Sequence, residues 1–300
     1  HEKYLHQTIK GEHNSHPGWI PRDMRHSGGP DSFGYVFIDS NEPEGPEFNY
    51  INFDGEIITD MGDDDYRGPI QLPFEFLYYD EEYSEVFINS NGFISFGSGS
   101  YVYNNSAIPD QGIPNNVVAF FWDDLNPSSG GTIEYGQVGN SWVCSFINIR
   151  EYGESGTISA QVILTNDNEI IFQYLDFSNE LDMNGETIGI ENSSGIAGLM
   201  ASLDSSPTSY PTEGLAIHFY QLEPDASVSG IVFDQESQEP ISGVEVNFGA
   251  LSALTDDNGF YEIAEIMSGV YEVSITKDGY LDFNLDGFEI SEGENSLDAE

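Results

Sequence analysis

The sequence predicts an all-β protein: a large antiparallel β-sandwich, a second and smaller β-sandwich after it, and an extended N-terminal arm before it. Three observations predict this. Apolar residues recur with a period of two, as at Leu72, Phe74, Phe76 and Tyr78, the spacing of a strand with one buried face. Turn residues separate such runs throughout, among them Gly130-Gly131, Gly139-Asn140 and Asn166-Asp167-Asn168, in a chain that holds 32 glycines. Long amphipathic helical patterns are absent.

Residues 1–27, HEKYLHQTIKGEHNSHPGWIPRDMRHS, show little periodicity. Pro17 and Pro21 interrupt them, and Gly11 and Gly18 loosen them, so they read as an extended arm. Tyr4, Leu5, Ile9, Trp19 and Ile20 are apolar anchors that a solvated tail does not need. They mark the arm as an assembly element that docks on its own or a neighbouring subunit; a leader or propeptide remnant is the alternative. The first residue is His1 rather than Met, which suggests a processed N-terminus.

Residues 28–222 make the large sandwich. Phe33, Tyr35, Phe37 and Ile38 predict a strand, residues 41–46 a loop, residues 48–53 a second strand, and Met61-Gly62-Asp63-Asp64-Asp65 an acidic turn. Residues 72–97 read as two strands joined by an acidic turn, Val86 and Ile88 repeating the period in the second arm. Asn89-Ser90-Asn91-Gly92 then makes a tight turn in which Asn-Gly supplies positive φ. VVAFFW at residues 117–122 is apolar on both faces and predicts a central strand. Further strands are expected at 132–138, 141–150, 157–165, 169–175, 187–191 and 215–220. Residues 221–225 read as a linker, and residues 226–300 as the second sandwich.

Charge bounds the function. Seven Lys and Arg stand against 53 Asp and Glu, a net charge of −46. Nucleic acid is excluded as a partner, because phosphate binding needs a basic surface. No run approaches the length of a membrane-spanning apolar helix, so no membrane insertion is expected. The charge is also unevenly placed. The first 27 residues hold Lys3, Lys10, Arg22 and Arg25 against Glu2, Glu12 and Asp23, a net +1, and five of the six histidines: His1, His6, His13, His16 and His26. The rest keeps Arg67, Arg150 and Lys277 against 50 acids, a net −47. Acidic surfaces of this kind suit salty water and divalent cations, which points to an extracellular or cell-surface location. Cys144 is the one cysteine, so no intrachain disulfide forms; it reads as a small buried hydrophobe.

The run GGPDSFGYVFIDSNEPEGP, then GDDD before GPIQLPFEFLYY, then INSNGFISFG and VVAFFWDDL resembles a β-sandwich module of secreted bacterial proteins, similar to nidogen-type extracellular domains. The resemblance covers about residues 28–222. It implies a module that accompanies secreted peptidases and surface proteins without being catalytic itself. From Ala226 the text changes. Gly230, Pro240-Ile241-Ser242-Gly243-Val244, Thr255-Asp256-Asp257-Asn258-Gly259, Gly269-Val270-Tyr271 and Gly279-Tyr280 resemble the carboxypeptidase regulatory-like domain, a transthyretin-like β-sandwich. That resemblance implies an accessory or structural module.

No catalytic set emerges. His218 is the only histidine outside the arm, its strand neighbours Ile217 and Phe219 suggest a structural role, and no nucleophile motif accompanies it. Two carboxylates suffice for glycoside hydrolysis, but nothing singles out a pair among 53. The expectation is therefore no enzyme and no catalytic residue. Metal is a stronger candidate. Asp63, Asp64 and Asp65, and Asp123, Asp124 and Asn126, are oxygen-rich turns of the kind calcium prefers; solvated turns are the alternative. Asp282-x-Asn284-x-Asp286-Gly287 begins like an EF-hand loop, but position 12 is Gly293 and the segment crosses an expected strand. A copper site at His1 would need a partner histidine, and the body offers only His218. The expected function is an extracellular structural or assembly protein of a bacterial surface or matrix, a filament of itself joined through the arm. The alternatives are an accessory region of a larger secreted peptidase and a glycan-binding adhesion module using Trp122, Trp142 or surface tyrosines.

Overall fold

Period-two hydrophobicity becomes two packed sheets. The computed structural model describes residues 27–178, 181–183, 185–204, 210–249 and 251–300; residues 1–26 of the arm, with Tyr4, Leu5, Ile9, Trp19 and Ile20, lie outside them, and Ser27, expected at the end of the arm, belongs to the first strand of the large sheet. The chain divides into two units at residues 221 and 222. In the large unit one sheet runs, in spatial order, Ser27–Gly28, Tyr35–Asp39, Leu215–Gln221, Ile170–Phe177, Thr157–Thr165, Ser141–Glu151, Thr132–Val138 and Glu56–Ile58, with Leu125–Asn126 pairing beside Ser141–Glu151. The other runs Gly198–Leu203, Thr187–Glu191, Val117–Trp122, Phe93–Ser95, Glu81–Asn89 and Tyr66–Tyr78. All these pairings are antiparallel.

The inward faces of both sheets meet in one aromatic core. The Phe120 ring lies 4.9 Å from Phe146 and 6.3 Å from Phe172, centroid to centroid. All six residues of Val117–Trp122 are buried, because the outer face is covered as well: Phe93, Val117, Ala119 and Trp122 pack with Ile108, Val102 and Met200. Two buried tyrosine hydroxyls in this core are satisfied. The Tyr174 hydroxyl donates to the Phe120 carbonyl at 2.5 Å, and the Tyr78 hydroxyl donates to the Val117 carbonyl at 2.8 Å.

Two expectations are corrected. The turn between the arms of residues 72–97 is only Tyr79-Asp80, with φ of 49° and 62°, because Glu81, Glu82 and Glu85 belong to the strand Glu81–Asn89. A two-residue turn with both residues at positive φ ordinarily takes Asn-Gly. Tyr79 is held there by packing: its ring lies 4.6 Å from Tyr35 and its hydroxyl donates to Asp31 Oδ2 at 2.8 Å. The second correction concerns residues 48–53, which form no strand. The Asn49 and Ile51 amides donate to the side chains of Gln173 and Gln161, each at 3.0 Å, and Gln161 Nε2 returns a bond to the Ile51 carbonyl. The segment's alternation therefore records an extended chain bound by buried glutamines rather than by a neighbouring backbone. The Asn91-Gly92 turn is as expected, with Gly92 at φ +77° and a would-be Cβ 1.7 Å from the Phe121 carbonyl oxygen.

The outermost strand of the second sheet, Tyr66–Tyr78, carries Pro69 and Pro73. Both fall where its pairing with Glu81–Asn89 shifts register, between Arg67 and Ile70 and between Gln71 and Phe76. Proline lacks the ladder donor and is tolerated at such irregular edge positions.

Glu191 is 2% exposed, and its Oε2 accepts the Asp110 amide at 2.6 Å. Burial, reinforced by the charge of Asp110 and opposed by that hydrogen bond, pushes its carboxyl up to about 7. Its backbone amide donates to the Tyr78 hydroxyl. A carboxyl whose folded pKa is raised contributes stability that is complete below its unfolded pKa and is lost as pH rises through the folded one. In chelator, the melting temperature is therefore expected to fall between about pH 5 and pH 8. Glu191→Gln should flatten that slope relative to wild type at equal ionic strength. Parallel slopes would remove Glu191 as a cause.

The small unit pairs a three-stranded sheet, Phe260–Ile266, Ala226–Ile231 and Gly293–Ser296, with a four-stranded sheet, Leu251–Leu254, Glu245–Phe248, Gly269–Thr276 and Phe283–Ile290. Val228, Val246, Phe248, Tyr261 and Val273 fill its core. The pairing of Ala226–Ile231 with Gly293–Ser296 is parallel. In the turn before Phe260–Ile266, Asp256 Oδ1 accepts the Asn258 and Phe260 amides at 2.7 and 2.9 Å. Asn284 and Asp286 lie within the strand Phe283–Ile290, a conformation that no EF-hand loop adopts.

Candidate metal centre

Two acidic turns that lie about sixty residues apart in sequence meet at one end of the large sandwich. Asp63 and Asp64 precede the strand Tyr66–Tyr78, and Asp124 sits in the bend between Val117–Trp122 and Leu125–Asn126. One ligand oxygen from each of Asp63, Asp64 and Asp124 lies within 4.8 Å of the others. The buried turn at Asn89-Ser90-Asn91 holds them there. Asn91 Nδ2 donates to Asp64 Oδ1 at 3.0 Å, Asn91 Oδ1 accepts the Leu125 amide at 3.0 Å, and the Asn91 carbonyl accepts the Asp123 amide at 3.2 Å. One side chain thus ties both acidic turns to the hairpin.

The other residues expected at this site have different duties. Asp65 is consumed by structure: its carboxylate accepts the Gly62 and Tyr66 amides at 3.0 and 2.9 Å, and its own amide donates to Ser90 Oγ. Asn126 Oδ1 accepts the Ser128 hydroxyl in the short 3-10 turn that follows. Asp123 is buried and lies outside the group of three, its Oδ1 accepting the Asp124 amide at 2.7 Å. Asn91 was missed at the level of sequence because Asn-Gly there already had a full explanation as a turn; nothing in the pattern shows that the asparagine side chain is buried.

The electrostatics of the three carboxylates are unfavourable as they stand. Burial first, then Asp64, Asp63 and Asp123, push the Asp124 carboxyl up to about 6. Burial and Asp64 raise Asp63, whose Oδ1 is buried without a hydrogen-bond partner. Arg67, three residues beyond Asp64, donates instead to the carbonyls of Thr59 and Asp60. Two like charges 4 Å apart repel by about 1 kcal/mol in water and about 4 kcal/mol at a dielectric near 20. A proton or a cation relieves that repulsion. Three hard oxygen donors, with one orphaned oxygen among them, fit a divalent ion of the calcium type.

The remaining reactive side chains are occupied or buried. His218, the only histidine among the described residues, has Nε2 3.3 Å from Glu169 Oε2 and its ring 4.7 Å from Tyr220. Burial outweighs that carboxylate and holds the imidazole below its ordinary pKa. Cys144 is fully buried, which holds its thiol well above the usual range. Trp122 and Trp142 are each 2% exposed, so neither presents a face to a sugar, contrary to the expectation for a glycan-binding surface. Tyr101 and Tyr152 are exposed.

Comparison with known proteins accords with the two-part architecture. A family model described as NIDO related matches residues 35–227, and one described as carboxypeptidase regulatory-like domain matches residues 227–299. No curated protein matches the chain. Among solved structures, a type II cohesin–X-dockerin complex from Acetivibrio cellulolyticus is 29% identical over 25% of this chain and 52% of that one, with a TM-score of 0.22. A putative carbohydrate binding protein from Bacteroides uniformis ATCC 8492 is 20% identical over 26% and 41%, with a TM-score of 0.23. A group B streptococcus pilus 2b backbone protein is 10% identical over 56% and 97%, with a TM-score of 0.22. The chain spans about half the length, or less, of the first two.

Proposed function

The chain belongs to the NIDO-related family across residues 35–227, and on that premise we propose that it is a non-catalytic, extracellular structural protein that assembles with copies of itself through its N-terminal arm, its large sandwich fixed by calcium at Asp63, Asp64 and Asp124. The observation that carries the assembly reading is the partition of charge. Residues 28–300 hold 50 of the 53 acids against three basic residues, while residues 1–27 are net positive and hold five of the six histidines. An extended arm of this length reaches about 90 Å at roughly 3.3 Å per residue, enough to span to another copy. Strand addition to an open sheet edge would let its backbone supply affinity while Tyr4, Leu5, Ile9, Trp19 and Ile20 fill apolar sites. Among the described residues the eight-residue strand Phe283–Ile290 pairs on one side only and offers such an edge. A contact of this kind is heterologous and builds a filament unless its rotation closes.

Deleting residues 1–27 tests this. Electron microscopy of the full chain should show polymers, and the truncated protein should stay monomeric with an unchanged β-sheet spectrum. A truncated protein that still polymerises sinks the arm as connector. The description of the second matched domain favours one other reading, an accessory region of a secreted peptidase. Mass spectrometry of the native protein separates the two: a mass well above 33.2 kDa, the mass of this chain, favours the accessory reading.

A further inference from the structure

We propose that a cavity at one end of the small sandwich is the socket for Trp19-Ile20 in the arm of a second copy; this rests on the reading that the arm joins copies, and adds where it docks. The cavity holds about 390 Å³ and is walled mainly by apolar side chains, Val232, Ile241, Ile275, Tyr280, Leu281 and Phe283 among them. Binding sites share a mostly apolar lining and a volume of about 300–1,000 Å³. The floor belongs to the core, since Val232 and Ile275 are buried. The mouth does not: Tyr280 is exposed and Leu281 is 97% exposed. Two adjacent apolar residues left in water beside an apolar cavity mark an interaction surface.

Charge, shape and position select the occupant. The polar part of the lining includes Asp234, Glu236 and Glu300, and the exposed Asp278 and Asp282 flank Tyr280-Leu281 in the chain. Lys277 is the only basic residue of 226–300, and its ammonium already donates to the Ser242 carbonyl. An apolar segment that suits these surroundings carries cations of its own. Trp19-Ile20 is followed by Arg22 and Arg25 against Asp23 alone, with His16 and His26 on either side. Tyr4-Leu5 has only Lys3 beside Glu2, and Ile9 only Lys10 near Glu12. Pro21 biases Ile20 toward extended backbone, and Trp is among the residues that most often anchor an interface. Phe283 both lines the cavity and opens the strand Phe283–Ile290, which pairs on one side only among the described residues. At Asp286-Gly287 the pairing with Gly269–Thr276 shifts register and Gly287 takes φ +76°, so the bulge divides that edge. Phe283–Leu285 is the part that starts at the cavity, and an extended arm seated there can pair with it by backbone hydrogen bonds.

Leu281→Lys puts a cation at the mouth and leaves the core untouched. In electron microscopy this variant of the full chain should lose its polymers, as deletion of residues 1–27 does. Leu254→Lys, at a 70% exposed position on the opposite edge of the same sheet, should keep them, with circular dichroism confirming that each variant folds. Cross-linking identifies the occupant. Cys144 is fully buried, so a Gly18→Cys chain mixed with a Leu281→Cys chain under mild oxidation should give a disulfide between those two positions, located by mass spectrometry. A mixture of Gly18→Cys and Leu254→Cys chains should not. Polymers that survive Leu281→Lys but vanish on deletion of residues 1–27, or a mixture that polymerises without the 18–281 link, overturn the socket and leave the arm as connector. Polymers that survive the deletion as well, or a full chain that forms none, overturn both.

Discussion

Calcium at a hundredfold excess over its dissociation constant is expected to raise the melting temperature of the large sandwich by about 5–10 °C above the value in chelator. Mass action supplies about 2.7 kcal/mol for one site filled to that degree, and for a domain of this size each kcal/mol moves the midpoint by about 2–4 °C. The gain should be specific. Sodium at matched ionic strength screens a chain of net charge −46 without occupying the centre, and should move the midpoint far less. Asp124→Asn should remove most of the calcium response. In chelator that variant should melt above wild type, because it takes away one of three carboxylates held within 4.8 Å of one another. Identical melting curves with calcium and with chelator would dismiss the centre.

Phe120→Ala should cost the large sandwich about 3–5 kcal/mol and lower its transition by about 6–20 °C. Phe120 is fully buried, and its ring meets Phe146 and Phe172 from the facing sheet, so truncation leaves a void between layers that neither sheet can close alone. The small unit is built on a separate set of core residues, Val228, Val246, Phe248, Tyr261 and Val273 among them. Its transition should therefore stay where it is, distant sites being additive. Scanning calorimetry should resolve two transitions, of which only one moves. A single transition that shifts as a whole would mean that residues 28–222 and 226–300 unfold together.

How legible the fold was depends on what each residue answers to. Val117–Trp122 announced itself, because six apolar residues in a row have no solvent face in any sheet. The Tyr79-Asp80 turn did not. Its positive φ values are imposed by a buried aromatic cluster rather than by turn chemistry, and the acidic residues after it looked like loop until their strand was seen. Residues 48–53 misled for a related reason: alternation reports a two-sided environment, and a pair of buried glutamines supplies one as well as a neighbouring strand does. The strand Gly198–Leu203 went unnoticed because its residues are all half-buried and carry no clear period. At the candidate centre the acidic residues were visible one by one. That Asp63 and Asp64 would meet Asp124 and not Asp123 was not, since placement across a bend is set by tertiary contacts such as those of Asn91.

Pro69 and Pro73 bear on how these molecules behave when crowded. An uninterrupted outer strand is a template on which any copy can zip, and dense extracellular material built from β-sandwiches would then risk turning into cross-β aggregate. Two gaps in the row of donors along Tyr66–Tyr78, each at a break in register, spoil that template. Where copies are packed closely at this edge, disordered growth is denied that starting point.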